Sequence, residues 1–291
     1  MDQAEKLRNI VKMNQKPVPK ARIFTVTSGK GGVGKSNLAV NLAVQMQKRG
    51  KRVIIFDADF GLANVEIMFG AIPKFNLSDL IYRGKSIREI ITPGPMDIGF
   101  ISGGSGITGV NNLTKEQLRF LIGNLEKLDE LADVIIIDTG AGISDNVLEF
   151  VMASPEILLL VTSEPSSLTD AYSLLKAVHR NEEFRQAQSK IKVISNRVIS
   201  EEEGVGIYDK LNAVVGQFLN GDLEYLGIIP QDELVEKAVR QQQPVSILYP
   251  DAKATRAFEQ LSGYLLEGTV APIEEKRGIV QLLSRFIFHR N

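Results

Sequence analysis

The sequence has 291 residues, of which 44% are hydrophobic and 24% charged, which excludes a disordered or fibrous protein. Its 34 basic and 35 acidic residues leave a formal net charge of −1, which argues against nucleic acid as the main partner. Cysteine is absent, so disulfides, cysteine-bound zinc or iron–sulfur clusters and cysteine nucleophiles are excluded. Neither a membrane-spanning apolar run nor an N-terminal signal core is present, so we expect a protein of the cytosol.

Seven short, mostly continuous apolar runs predict strands that are covered on both faces. They span residues 23–27, 53–57, 98–102, 134–138, 157–162, 191–195 and 225–229. Patterns of helical period between them predict helices that include residues 36–48, 114–128, 144–153 and 166–181. The alternation of strand and helix from residue 21 to 266 predicts one α/β domain, with a mostly parallel sheet flanked by helices on both faces.

A glycine-rich segment joins the first predicted strand to the first predicted helix. Residues 28–36 read SGKGGVGKS, which is the Walker A pattern G-x-x-x-x-G-K-[ST] in the context that it requires. The glycines let backbone amides converge on a phosphate, Lys35 is expected to reach the β- and γ-phosphates, and the Ser36 hydroxyl to join Mg²⁺. The predicted nucleotide contacts of this P-loop are Gly29, Gly31, Gly32, Val33, Gly34, Lys35, Ser36 and Asn37.

Three aspartates follow predicted strands. Asp57 and Asp59 come at the end of the second strand, and residues two apart in an extended segment point the same way. Asp138 follows four apolar residues, which is the Walker B form. A buried carboxylate needs a partner, and hydrated Mg²⁺ is a natural one. Residues 139–143 then predict a switch loop that senses the γ-phosphate.

Two of these segments resemble the MinD/ParA family of deviant Walker A ATPases. Residues 30–36 match K-G-G-x-G-K-[ST], and residues 57–64 match D-x-D-x-G-L-x-N. The resemblance implies an ATP-bound homodimer in which Lys30 enters the partner subunit's site and acts as an arginine finger does. It also implies that Asp59 orients the attacking water and that Asp57 lies near Mg²⁺ through water. Gly140 departs from the proline that is usual in MinD, which leaves the path of this loop open.

The resulting site assignment has a catalytic set and a metal set. The predicted catalytic residues are Lys30, Lys35, Asp59 and Asp138, and the predicted Mg²⁺ ligands are Ser36, Asp57 and Asp138. For the base, the family resemblance implies that Asn196 contacts adenine and that Pro230 and Gln231 pack on it. No segment resembles the Asn-Lys-x-Asp guanine reader, so we expect ATP with Mg²⁺, although Asn196 also fits a simple turn.

The N-terminal segment indicates which group within the MinD/ParA family the chain resembles. Residues 2–8 read DQAEKLR and match the D-Q-A-x-x-L-R segment of the flagellar FlhG group, also called YlxH or FleN. In that group the segment is a helical activator of the FlhF GTPase, so the resemblance implies that Gln3 completes the FlhF site and that the chain binds flagellar C-ring proteins. Residues 1–20 are then an activator segment and linker; an unstructured tail is the alternative.

The C-terminal residues 267–291 predict a linker followed by an amphipathic helix. Its apolar residues recur at i, i+3, i+4 and i+7. They are Ile279, Leu282, Leu283 and Phe286. Lys276, Arg277 and Arg285 add positive charge, which favours a helix lying on a membrane of anionic lipid. The alternative is a terminal helix that docks on its own domain, and the two states can alternate.

The sequence leaves three functions open. The first is an FlhG-type ATPase switch that dimerises with ATP, binds reversibly to the inner face of the cell membrane and regulates flagellar number and placement. The second is a ParA-like partition ATPase whose dimer binds DNA non-specifically, which the near-neutral charge supports little. The third is an interaction module that activates FlhF and for which ATP hydrolysis is incidental.

Overall fold

A computed structural model describes residues 20–59, 64–104, 115–186 and 189–267, and these contain eight strands in one sheet. The strands are β1 (Arg22–Thr27), β2 (Val53–Ala58), β3 (Thr92–Pro93), β4 (Gly99–Ser102), β5 (Val134–Thr139), β6 (Glu156–Val161), β7 (Lys190–Val198) and β8 (Glu224–Pro230). Their order is β3-β4-β2-β5-β1-β6-β7-β8. All neighbours pair in parallel except β3 and β4, so the predicted mostly parallel sheet is confirmed.

All seven predicted strands are confirmed. Six of them match within one residue at each end, and β7 continues three residues further than its prediction. The two-residue β3 was not predicted. It contains a proline and pairs antiparallel with β4 at the edge of the sheet, where a missing backbone donor is tolerated.

Helices fill the connections between the strands. They are α1 (Lys35–Lys48), α2 (Asn64–Phe69), α3 (Leu77–Arg83), α4 (Ile87–Ile90), α5 (Lys115–Leu125), α6 (Leu128–Leu131), α7 (Asp145–Ala153), α8 (Pro165–His179), α9 (Glu182–Gln186), α10 (Glu201–Leu219), α11 (Glu233–Arg240), α12 (Val245–Leu248) and α13 (Lys253–Glu267). Helices 36–48, 144–153 and 166–181 are confirmed with small shifts. The helix predicted over 114–128 is found as α5, which ends three residues earlier, and residues 128–131 form the separate short helix α6.

The core lies on both faces of the sheet. Successive strand side chains point to opposite faces, so Ile136 packs on one face while Ile135 and Ile137 pack on the other, all three fully buried. Helices α1, α2 and α11 to α13 cover the first face, and α3 to α10 cover the second. Each buried branched side chain stabilises the fold by about 1.5–3 kcal/mol. The predicted helices on both faces are therefore confirmed.

The parallel strands bring their carboxyl ends to one edge of the sheet. Since β1 lies between β5 and β6, the loop after β1 is flanked by the segments that follow these two strands. The segment after β2 lies on the far side of β5, and the corner at the C-terminal end of β7 lies beyond β6. In open α/β sheets this edge is where ligands bind.

The predictions for the two ends of the chain fall mainly on residues 1–19 and 268–291, outside the described residues. The activator segment with Gln3 and the amphipathic helix with Ile279, Leu282, Leu283 and Phe286 therefore stay predictions, as do the domain limits of 1–20, 21–266 and 267–291. In the ranges that are described, none of the helices has the length and apolarity needed to cross a bilayer.

Candidate functional site

The P-loop, residues 28–36, runs from the end of β1 into the first turn of α1, and its glycines meet steric requirements. Gly32 and Gly34 have φ values of +74° and +105°, a backbone conformation that favours glycine. A Cβ atom at Gly29 would lie 2.1 Å from the carbonyl carbon of Asp170 in α8. The loop therefore presses its backbone directly against a neighbouring helix, which only glycine permits at this position.

The first half of the P-loop is held by hydrogen bonds to its carbonyl groups. The Ser28 carbonyl accepts from the backbone N–H of Gly142, 3.1 Å away, in the loop that follows β5. The Lys30 carbonyl accepts from the Ser28 hydroxyl at 2.7 Å. These carbonyls are satisfied within the protein, so the loop is tied both to itself and to the predicted switch loop.

The second half of the P-loop is held by the corner at the C-terminal end of β7. Asn196 Nδ2 donates to the Val33 carbonyl at 2.7 Å, and Arg197 Nη2 donates to the Gly32 carbonyl at 2.9 Å. The structure thus places Asn196 against the P-loop, while its predicted contact with adenine stays a prediction. Arg197 was not predicted as a site residue at all.

Lys35, Asp59 and Asp138 form one electrostatic cluster, so the structure brings three of the four predicted catalytic residues together. Lys35 is 8% exposed. Burial lowers the pKa of Lys35, and the negative charges of Asp138 and Asp59 oppose that shift. The two carboxylates therefore favour the charged form of the ammonium group at the place where the loop would receive a phosphate.

Asp138 is fully buried at the carboxyl end of β5, and neither of its carboxylate oxygens has a hydrogen-bond partner in the part of the chain that the structure describes. Burial raises its pKa to about 6, opposed by the nearby Ser36 hydroxyl and the Lys35 charge. A buried carboxylate without a partner fits a cation ligand. Within the described ranges no group of three or more His, Asp or Glu side chains could hold a metal ion. Asp138 and Ser36 together fit a Mg²⁺ ion that arrives bound to phosphate oxygens and keeps several of its water ligands.

Asp57 lies next to Asp138 in the register of β2 with β5 and is 3% exposed. Its Oδ1 accepts from the backbone N–H of Asp59 at 3.1 Å, and its Oδ2 accepts from that of Val65 at 3.3 Å. Asn64 Nδ2 donates to Asp59 Oδ2 at 3.3 Å. Burial, with the charge of Asp138, raises the pKa of Asp57 to about 8. Asp57 thus holds the backbone on both sides of residues 60–63, and its role near Mg²⁺ stays a prediction.

Lys30 is bound within its own chain. Its ammonium group donates to the Glu164 carboxylate and to Ser166 Oγ, the latter at 2.8 Å, at the start of α8. The hydrogen bond from Lys30 holds the pKa of Glu164 below its usual value, and the charge of Arg197 adds to this effect. The Lys30 and Glu164 side chains are 31% and 54% exposed, so this ion pair is weak and exchangeable.

A cavity of about 490 Å³ opens beside the P-loop, which is the size range of small-ligand sites. It brings together the predicted contacts Gly34, Asn37, Asn196, Pro230 and Gln231. Its remaining lining residues were not predicted and are Arg197, Ile229, Asp232, Val235, Glu236, Val239, Arg240 and Phe258. Of these, Asp232 carried a usable signal, because an aspartate before a helical pattern is a typical N-cap; it accepts from the Leu234 N–H at 2.9 Å.

The raised pKa of Asp57 generates a prediction about stability without ligands. The folded state keeps the Asp57 proton up to about pH 8, whereas the unfolded chain loses it near pH 4, so the free energy of unfolding falls as pH rises through this window. We expect Asp57→Asn to be more stable than the wild type at pH 8, by at least about 1 kcal/mol, and the difference to shrink toward pH 4. Urea unfolding at several pH values, with EDTA and without nucleotide, measures it.

The matched control is Asp209→Asn, an exposed aspartate on α10, which should shift stability equally at each pH. A stability difference between Asp57→Asn and the wild type that does not change with pH would contradict the assignment.

Known proteins are similar to this chain in both sequence and fold. The CobQ/CobB/MinD/ParA nucleotide binding domain family matches residues 24–245. The antiactivator FleN of Pseudomonas aeruginosa is 39% identical over 241 residues, which is 83% of this chain and 85% of that protein. The flagellum site-determining protein YlxH of Helicobacter pylori is 32% identical over 255 residues, covering 84% of this chain and 82% of YlxH.

The solved structures agree on the fold. The septum site-determining protein MinD of Pyrococcus horikoshii, complexed with Mg-ADP, superimposes with a TM-score of 0.67 at 22% identity over 88% of this chain and 99% of that one. The MinD cell division protein of Aquifex aeolicus gives 0.66, also at 22% identity, over 88% of this chain and all of that one. The chain therefore belongs to the MinD/ParA family of P-loop nucleotide-binding proteins, within its FlhG-type (FleN/YlxH) group.

Proposed function

We propose that this protein is an ATP-hydrolysing switch of the FlhG type, which dimerises with ATP and regulates flagellar number and placement. The observation that carries the proposal is the buried Asp138, whose carboxylate has no hydrogen-bond partner among the described residues and lies beside Lys35 and Ser36. This arrangement suits a magnesium-bound phosphate. The names of the relatives FleN and YlxH support the flagellar role.

Different residues of this chain have different roles in ATP hydrolysis. The P-loop amides and Lys35 bind the phosphates, while Ser36 and Asp138 would hold Mg²⁺, which when bound neutralises charge on the phosphate oxygens. Asp59 orients a water whose oxygen attacks the γ-phosphorus as the bond to the β–γ bridging oxygen breaks. A proton of this water passes to a phosphate oxygen, and the products are ADP and inorganic phosphate. Asp57 keeps the segment that carries Asp59 in place through its two backbone hydrogen bonds.

Lys30 supplies a further positive charge in addition to Lys35, and it acts on the ATP of the partner subunit. In one chain alone Lys30 is bound to Glu164 and Ser166, so it must leave them to reach a second site. Because this ion pair is exposed to solvent, breaking it costs Lys30 little free energy. The negative charge of a γ-phosphate across the interface would replace that of Glu164.

Exposed apolar side chains support an interface on this edge of the sheet. Ile143 in the loop after β5 is 54% exposed, and Ile199 after β7 is 84% exposed. Both follow strands whose carboxyl ends form the nucleotide edge. A second copy of the chain, docked with its own nucleotide edge against this one, would cover them.

The sequence supports the remaining partners. We infer that Gln3 in the N-terminal segment completes the site of the FlhF GTPase, that the chain binds flagellar C-ring proteins, and that the C-terminal helix binds anionic lipid. Two copies of a short membrane helix in one dimer bind far better than one, so dimerisation and membrane binding are coupled. The protein is then cytoplasmic and reversibly peripheral at the membrane.

Two lysine substitutions test the ATPase switch. Lys35→Ala should abolish ATP binding, because it removes the cation of the P-loop, whereas Lys30→Ala should bind ATP but lose at least about 90% of turnover. Titration with a fluorescent ATP analogue, phosphate release and light scattering with a non-cleavable analogue measure binding, turnover and mass. Lys176→Ala, at an exposed lysine of α8, is the control and should match the wild type.

Wild-type hydrolysis by Lys35→Ala, or by Lys30→Ala, would contradict the assigned role of the residue concerned. Liposome sedimentation and duplex DNA binding with ATP and with ADP decide between the partners. ATP-dependent sedimentation with anionic liposomes supports the proposal, whereas salt-dependent DNA binding without liposome binding would favour the ParA-type alternative.

The intrachain contact of Lys30 predicts a second effect. Glu164→Gln removes the charge that holds Lys30, so we expect the ATP-dependent dimer to form at two- to fivefold lower protein concentration, in line with the small free energy of an exposed ion pair. Sedimentation velocity with a non-cleavable ATP analogue measures the change. Ser173→Ala on the same helix should leave dimerisation unchanged, and a Glu164→Gln dimer equal to or weaker than the wild type would show that Glu164 does not restrain Lys30.

A further inference from the structure

The corner at the C-terminal end of β7, formed by Asn196, Arg197 and Val198, has an unusual backbone. Arg197 has a φ of +57°, and the pairing of β7 with β8 is irregular between Asn196 and Val198. The Arg197 N–H donates to Asn196 Oδ1 at 2.9 Å, which holds this turn in place. A residue with a side chain rarely adopts such a φ unless its surroundings hold it there, and such residues concentrate at functional sites.

The corner binds two consecutive carbonyl groups of the P-loop. The Asn196 side chain, which is 8% exposed, donates to the Val33 carbonyl, and the Arg197 guanidinium donates to the Gly32 carbonyl. The approach is close: a Cβ atom at Gly34 would lie 2.7 Å from Asn196 Nδ2. The positive φ of Arg197 is what allows two adjacent residues to bind two adjacent carbonyls.

These two bonds fix the direction of two backbone amides. In a trans peptide the carbonyl of one residue and the N–H of the next point in opposite directions, and cis peptides are absent from the described residues. With the Gly32 and Val33 carbonyls turned toward the corner, the N–H groups of Val33 and Gly34 point away from it. Neither N–H donates to another group in the portion of the chain that is described, so both are free for a ligand.

The corner also contacts the base side of the cavity. The Val198 carbonyl accepts from the Gln231 N–H at 2.9 Å, and Asn196, Arg197 and Gln231 line the same cavity as Gly34. Residues 196–198 therefore connect the strand end that would lie along the base to the loop that would hold the phosphates. A change at this corner is transmitted to the P-loop by hydrogen bonds to main-chain atoms.

We propose that Asn196 and Arg197 act as a clamp on the P-loop, in which Arg197 is a positioning residue that acts through the Gly32 carbonyl. The clamp presets the amides of Val33 and Gly34 toward a nucleotide phosphate before the nucleotide arrives. It rests on the proposed function in that the loop binds a nucleoside diphosphate or triphosphate. Preset donors bind more tightly because their ordering is completed in advance.

The test compares four full-length proteins: the wild type, Arg197→Asn, Arg197→Lys and Arg180→Asn. Asparagine tolerates a positive φ but is too short to reach Gly32, whereas lysine keeps a donor of nearly the right length. Arg180, an exposed arginine at the end of α8, is the matched control. ADP with Mg²⁺ is the probe, because it undergoes no turnover, and fluorescence titration gives its dissociation constant.

We expect Arg197→Asn to weaken ADP binding three- to tenfold and to raise the KM for ATP with kcat changed less than twofold. Arg197→Lys should bind ADP within twofold of the wild type, and Arg180→Asn should match it. Unchanged ADP affinity in Arg197→Asn would overturn the clamp. A loss that Arg197→Lys fails to recover would also overturn it, because a donor to the Gly32 carbonyl would then not be what matters.

A second measurement needs no nucleotide and separates this inference from the proposed function. In the nucleotide-free protein, the ¹⁵N relaxation of the Val33 and Gly34 amides should show greater mobility in Arg197→Asn than in the wild type or Arg180→Asn. Equal mobility would overturn the clamp. A wild type that binds no ADP would instead contradict the proposed function, and the amide mobility would still decide whether the clamp exists.

Discussion

The organisation of this protein depends on one carboxylate, that of Asp138, which is fully buried at the end of a central strand without a partner among the described residues. A buried charge that is only partly compensated costs free energy, so this carboxylate opposes folding unless a cation balances it. The sheet order causes this arrangement, because β5 lies between β1 and β2 and brings Asp57 and the P-loop to the same place. Lys35 supplies part of the missing charge, and a magnesium-bound nucleotide would supply the rest.

The P-loop is organised around the same need for positive potential. Its carbonyls at Ser28, Lys30, Gly32 and Val33 each accept a hydrogen bond from another protein group. Three of these donors belong to other segments, namely the loop after β5 and the corner at the C-terminal end of β7. Because these carbonyl oxygens are already hydrogen-bonded within the protein, the loop presents its amide N–H groups to the ligand. The shape of the loop therefore depends on segments that are distant in the sequence.

Much of this could be predicted from the sequence, for physical reasons. Strands buried on both faces must be continuous apolar runs, which is why all seven predicted strands were found. The P-loop and Asp138 are also local: a phosphate loop needs its glycines and lysine at fixed spacing, and a Walker B strand must end in its carboxylate. Local patterns therefore located the phosphate side of the site before any tertiary information.

The features that the sequence did not predict arise from tertiary contacts. Glu164 and Arg197 act through partners in the P-loop more than 130 residues away, and no spacing rule connects them. The helix predicted over 114–128 shows the opposite limit, since its apolar period continues to Leu128 although α5 ends at Leu125 and α6 begins as a separate helix. Periodicity reports which face is buried but not where the helix ends.

The most direct test of the central claim is whether Mg²⁺ depends on Asp138 to strengthen nucleotide binding. The measurement is the thermal unfolding midpoint of the wild type and of Asp138→Asn with ADP, in the presence of either Mg²⁺ or EDTA. In the wild type, Mg²⁺ should enlarge the ADP-induced rise in Tm by several degrees, because a tighter ligand stabilises the folded state more. In Asp138→Asn the rise should be the same with and without Mg²⁺. A full Mg²⁺ effect in Asp138→Asn would contradict the account.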